Sequence, residues 1–262
     1  MIDYDLHIHT EYCGHATGMT VQAILRQVER LRLKTIAITD HIYRPDDYAV
    51  IEKIRADVAD HGPDIRVLIG AEIDVDGNYV DGRLVTDRLD GLDIVIAGFH
   101  YVPTVGNYPR CPQDNTLSDE QFMEYWISSL LGIVSNPRVD VLAHPARLLA
   151  AAMDLDVHFE DVLCVFEKAA ALSAKNQIAW EINELTGSRL SPYWLSQWHR
   201  IFEIALNADV KIVYGSDAHT PEAIGVHKCT DTILAKLPKN CLSGPEEILT
   251  VKNTRDTKGK NY

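Results

Sequence analysis

The stretch "DYDLHIHT" at residues 3–10 decides how this chain is read. Alternation along a β-strand would put Asp3, Asp5, His7 and His9 on one face and Tyr4, Leu6 and Ile8 on the other. The apolar face is ready to pack. The other face carries ionisable groups that are costly to bury unless solvent, a hydrogen-bond network or a metal ion meets them.

Outward from this stretch, short β-branched segments alternate with helical patterns. Strands are predicted over 4–9, 35–40 ("TIAITD"), 66–73 ("RVLIGAEI"), 93–99 ("DIVIAGF"), 139–144 ("VDVLAH"), 178–183 ("IAWEIN") and 211–217 ("KIVYGSD"). Thr20 is placed to cap a helix whose apolar positions are Val21, Ile24, Leu25, Val28 and Leu31. Tyr48, Ile51, Ile54 and Val58 mark a second, and Ser118 with Gln121 forms a capping box that opens a third. Segments 159–174 and 193–207 supply two more. Repeated strand–helix units predict an α/β fold with a parallel sheet covered by helices, which at this length closes most economically into one barrel. A single domain is expected over 1–250, with a polar tail at 251–262.

Bulk properties narrow the function. No apolar run approaches the roughly 18 residues of a membrane span. The opening residues lack the basic and apolar regions of a signal peptide, so a cytoplasmic protein is expected. Cys13, Cys111, Cys164, Cys229 and Cys241 form no CxxC pair and read as reduced thiols. Cys13 could act as a ligand beside His15, although a merely neighbouring thiol is the simpler reading. A formal net charge of −13 disfavours long nucleic acid as a partner. It does not disfavour a small anion, because bound cations invert the local field.

The ionisable residues at the strand ends carry the chemistry. Strand 1 ends in His7 and His9, the second in His41, the third in Glu72, the fourth in His100, the fifth in His144, and the last in Asp217 and His219. The loop after the first strand adds His15. These are carboxyl ends of strands, where barrel enzymes build their sites. His61, His158, His199 and His227 fall in helices or polar loops and are read as ordinary histidines. So many titratable groups at one end of a barrel call for cations, and a His/Asp/Glu donor set suits zinc, iron or manganese. The set exceeds what one ion takes, so about two or three divalent ions are expected, with Glu72 as the bridging carboxylate.

Taken in order, "DLHIHT" (5–10), "TDH" (39–41), "AEID" (71–74), "GFH" (98–100), "AHP" (143–145) and "GSDAH" (215–219) resemble the motifs of the PHP (polymerase and histidinol phosphatase) superfamily. The resemblance implies a distorted (β/α)7 TIM-like barrel with a trinuclear metal site. It assigns His7, His9, Glu72 and Asp217 to one ion, Glu72, His100 and His144 to a second, and His15, His41 and His219 to a third. "EIN" at 181–183 resembles the sixth strand of the histidinol-phosphatase group, but the following residues depart from that group's Gly-rich, basic continuation. The expected activity is hydrolysis of a small phosphate monoester, with a metal-bridging hydroxide attacking phosphorus. Asp217 is expected to orient or deprotonate the nucleophile, and His219 is one candidate for the leaving-group acid. Arg44 and Arg147, each three residues past a ligand, are candidates for gripping the phosphate. Glu181 and Asn183 would either read the polar end of the substrate or play a structural part. Phosphodiester cleavage on nucleotides or oligonucleotide ends, amide or lactone hydrolysis, and a non-catalytic metal-binding barrel remain the alternatives.

Overall fold

Each predicted strand segment contributes a strand to the computed structural model, which describes residues 2–100, 118–152 and 159–249. The strands are β1 (Tyr4–Ile8), β2 (Thr35–Ile38), β3 (His41–Ile42), β4 (Arg66–Ile69), β5 (Ala71–Asp74), β6 (Val95–Gly98), β7 (Val141–Leu142), β8 (Ala179–Asn183) and β9 (Ile212–Gly215). All pair in parallel, in the orders β1-β2-β4 and β3-β5-β6-β7-β8-β9. The fold breaks the chain at two of these segments: β3 follows β2 just past the predicted end at residue 40, and β4 with β5 divides the strand predicted over 66–73. Gly70 marks the second break: a Cβ there would lie 2.5 Å from the carbonyl oxygen of Ile94, an approach that only glycine permits. At the first break, the Asp40 carboxylate takes the amide and hydroxyl of Thr10, fastening the loop after β1 to this strand.

With each interrupted strand counted once, seven strands follow one another, and the last meets the first. The Asp217 amide donates to the His7 carbonyl at 2.8 Å, and the His9 amide donates to the Ala218 carbonyl at 3.1 Å. The architecture is therefore the distorted seven-stranded barrel expected, joined at the carboxyl ends of its strands. Alternate residues of the strands enter two apolar clusters. Ile36, Ile38, Val95, Ala97, Leu142 and Trp180 pack in the large cluster with helix residues. Ala37, Leu68, Ile96, Val141, Ala179 and Val213 form a smaller one.

The helices are α1 (Val21–Leu31), α2 (Ala49–His61), α3 (Asp119–Ser135), α4 (Arg147–Ala152), α5 (Phe159–Asn176), α6 (Glu184–Arg189), α7 (Pro192–Gln197), α8 (His199–Asn207) and α9 (Lys228–Leu234). Thr20 caps α1 through the amide of Ala23, and Ser118 and Gln121 cap α3 reciprocally. The helix predicted over 193–207 is instead two, α7 and α8. Around their joint the Ile201 amide bonds to Trp198, a tighter i−3 contact. Among the described residues no helix is long and apolar enough to cross a membrane. The tail predicted at 251–262, Cys111 and His158 lie outside the described residues.

The alternation expected of β1 needs correcting. The pairing of β1 shifts register between Asp5 and Ile8, so its side chains do not simply alternate. Asp3 pairs with Lys34 at 2.7 Å in a partly exposed position. The buried Asp5 carboxylate accepts the backbone amides of His7, Ser216 and Gly225. It ties the first strand to the exit of the last and does not join the histidines. Replacing it as Asp5→Asn puts an amide NH2 where acceptors are needed. The expected cost is about 1–3 kcal/mol of unfolding free energy, read from the midpoint of denaturant unfolding.

Candidate metal centre

The parallel register sets His41, the first residue of β3, beside Glu72 in β5, so the two strands deliver both side chains to one point. His7 leaves β1, His9 follows it, and His100, His144 and Asp217 each lie two residues past the end of a strand. Glycine makes the room. A Cβ at Gly98 would sit 2.8 Å from the His144 ring, and one at Gly215 would lie 2.6 Å from the Cβ of His7. His144 and Asp217 adopt left-handed backbone angles, φ +28° and +56°, which point to strain held in place at a functional site.

All of the predicted ligand residues converge. Glu72 is the hub: Oε2 lies 3.2 Å from His7 Nε2, 3.5 Å from His9 Nε2 and 2.8 Å from His41 Nδ1. Its Oε1 lies 2.6 Å from His144 Nε2 and 3.3 Å from His100 Nε2. Asp217 Oδ1 is 3.2 Å from His9 Nε2. His15 and His219 face each other at 2.9 Å between their Nε2 atoms, nearer the surface. Three groupings bring ligand atoms close enough to share an ion: His7–His9–Asp217, Glu72–His100–His144 and His15–His41–His219. His9–His41–Glu72 and His9–Cys13–His219 do so as well.

The donor set fits divalent metal. His7 Nε2, both nitrogens of His9, His41 Nδ1, Glu72 Oε2 and Asp217 Oδ1 are buried and lack a properly oriented hydrogen bond. Buried polar atoms of this kind are costly unless something else satisfies them. Burial lowers His9 and His100 well below the usual imidazole value and lowers His41 and His219 less, favouring the neutral, metal-binding form. Burial opposes ionisation of Glu72, but His100, His41 and His7 outweigh it and hold this carboxylate well below its ordinary range. Asp217 is likewise held low, with His7, His9 and Arg147 overcoming its burial. For His7 burial is outweighed in the other direction, by Glu181, Glu72 and Asp217, and its pKa is raised well above normal. The centre therefore attracts positive charge.

A layer of carboxylates behind the histidines orients them. His7 Nδ1 is 2.7 Å from Glu181, and His100 Nδ1 is 2.6 Å from Asp74. Glu181 also accepts the His144 amide and the Asn183 side chain. Of the two parts weighed for Glu181, it therefore fills the structural one. Burial pushes Asp74 up to about 7, with Glu72 adding to the effect. Sequence reasoning passed over Asp74 as a participant, although its place two residues beyond Glu72 in "AEID" was a usable signal.

The two arginines part company. Arg147 Nη1 lies 3.4 Å from Asp217 Oδ2 and 3.1 Å from His100 Nε2, with its side chain 14% exposed. Arg44 has a side chain 80% exposed that pairs with Asp47, and it is not brought into the cluster. His61 and His227 bond to Asp57 and Asp231, outside the cluster. A cavity of about 370 Å³ opens beside Asp217 and His219, with Leu185, Ala223, Val226 and Lys228 in its lining.

The family model of the PHP domain matches residues 5–185. The chain belongs to the PHP-domain family. "Probable phosphatase YcdX" of Escherichia coli O81 (strain ED1a) is 25% identical over 232 residues, covering 86% of this chain and 82% of its own. A "Probable phosphatase" of Shewanella sediminis is 25% identical over 263 residues, covering 97% and 95%. Among solved structures, histidinol phosphate phosphatase from Lactococcus lactis, complexed with zinc, L-histidinol and phosphate, superposes with a TM-score of 0.66 at 16% identity. That match covers 90% of this chain and 93% of the other, and it establishes a shared fold. The PHP match stops short of Asp217 and His219, which the barrel itself returns to the other candidate ligand residues.

Glu181 offers a test of the supporting layer. Glu181→Gln weakens the acceptor behind His7, and metal affinity should fall by about 10–100-fold with little loss of secondary structure. Chelator competition measures the affinity, and circular dichroism checks the fold.

Proposed function

We propose that the protein is a metal-dependent phosphatase that hydrolyses a small phosphate monoester. The observation that carries this reading is the placement of Arg147 against a carboxylate and histidine cluster whose donor atoms lie close enough to share cations. The names of its phosphatase relatives and the phosphate-bound neighbour point the same way. We assign three ion positions: His7, His9, Glu72 and Asp217 at one, Glu72, His100 and His144 at a second, and His15, His41 and His219 at the third. Zinc is the leading candidate, with manganese and iron as alternatives.

When bound, such ions acidify water and neutralise charge on phosphoryl oxygens. The chain supplies the rest. Arg147 presents a planar cation to a phosphate oxygen, a geometry that favours bidentate contact. Asn183 lies 3.3 Å from Asp217 Oδ2, so Asn183 and Arg147 together fix the orientation of that carboxylate. Both ring nitrogens of His219 are engaged, Nδ1 with the Asp217 carbonyl at 2.9 Å and Nε2 with His15. This favours a ligand role for His219 over that of leaving-group acid. The cavity beside Asp217 and His219 has room for the part of the ester that departs. Arg44, engaged with Asp47 on the surface, carries no part in this assignment. The free thiols at Cys13, Cys164, Cys229 and Cys241 suit a reducing cytoplasm.

Phosphate release across a panel of small phosphomonoesters, with a phosphodiester as control, tests the activity. Turnover should require added metal and vanish on chelation, with monoesters preferred. Arg147→Ala should lower kcat/KM by about 1.5–3 kcal/mol, equivalent to losing a charged hydrogen bond, at unchanged metal content. Absence of phosphate release from every ester by metal-replete protein would overturn the proposal.

A further inference from the structure

Cys13 lies in a short 3-10 turn (Glu11–Cys13) between β1 and α1, and the assignments above leave it unused. Its sulfur, together with one nitrogen from each of His9 and His219, falls within 4.8 Å of both other ligand atoms. A second observation points to a ligand there. His9 is fully buried, and neither of its ring nitrogens makes a properly oriented hydrogen bond, although Nε2 lies 3.2 Å from Asp217 Oδ1. The third member, His219, commits Nδ1 to the Asp217 carbonyl and keeps Nε2 for the cluster.

The local chain is built to present Cys13 to this point. Thr10 caps the turn through the amide of Tyr12, and the backbone of Thr10 is tied to Asp40. Gly14 follows with φ +83°, a left-handed angle that reverses the chain directly after Cys13. The Cys13 carbonyl then receives Nδ1 of His15 at 3.1 Å, turning that ring toward His219. One residue thus orients a ligand with its backbone and offers sulfur with its side chain.

We propose that Cys13 is a thiolate ligand to a divalent ion held at His219, with His9 completing a sulfur-and-nitrogen donor set. This rests on the reading of the cluster as a metal centre and adds a soft donor to it. Thiolate favours zinc, cobalt or iron(II) over manganese, so Cys13 biases this position toward a thiophilic ion. Binding breaks the S–H bond and forms a sulfur–metal bond, with the proton released to solvent.

Cobalt(II) is the probe, because a thiolate–cobalt bond gives a charge-transfer absorption in the near ultraviolet that nitrogen and oxygen ligands do not produce. Full-length protein loaded with cobalt should show this band, and Cys13→Ser should lose it while still binding cobalt elsewhere in the cluster. Zinc affinity should fall in the same variant while manganese affinity holds. A band that is missing from cobalt-loaded wild type, or that survives in Cys13→Ser, overturns the proposal and leaves the phosphatase reading standing. Failure of the wild type to bind cobalt, zinc or manganese at all overturns both.

Discussion

Glu72 is a carboxylate only 1% exposed to solvent, set inside a barrel among five imidazole rings. A buried charge of this kind would ordinarily neutralise itself by taking a proton. Here the rings hold it ionised, and the strands are bent to bring those rings to it. The break between β2 and β3, the glycines at 98 and 215 and the left-handed turns at His144 and Asp217 all serve that convergence. The shape of the carboxyl end of the barrel follows from the need to surround one carboxylate.

The electrostatics around this hub also explain why carboxylates surround the histidines from behind. Glu181 and Asp74 take the outer nitrogens of His7 and His100, which turns the inner nitrogens toward the centre. Asp217 plays on both sides, turning Oδ1 toward His9 and Oδ2 toward Arg147 and Asn183. A cationic guanidinium held against a ligand carboxylate can meet a phosphate oxygen without leaving the cluster. In the proposed function this juxtaposition is what would tie metal chemistry to a phosphate ester.

The convergence of the candidate ligand residues was legible in the sequence because barrel strands deliver their final residues to one face, so position alone gathered them. The strand and helix rhythm was legible for the same reason, with Thr20 and Ser118 caps where expected. What escaped depended on local geometry. The register shift in β1 turned Asp5 into a backbone acceptor, which strict alternation could not foresee. Arg44 and Arg147 gave identical signals, each three residues past a ligand. Their fates differ because Arg44 is extended, with φ −145°, ahead of Pro45 and pairs with Asp47, whereas the left-handed turn at His144 leads into α4 with Arg147 at its start. The joint at Trp198 and the short helices α6 and α9 likewise carry little periodic signal.

The account stands on Glu72 as a charge shared between ions, and metal counting tests that most directly. Wild-type protein exposed to excess zinc and freed of loose metal should retain two or three ions per chain by elemental analysis. Glu72→Gln preserves shape and removes charge, so it should retain fewer ions and lose most phosphate release while keeping its circular dichroism spectrum. Equal metal content and equal turnover in the two proteins would contradict the account.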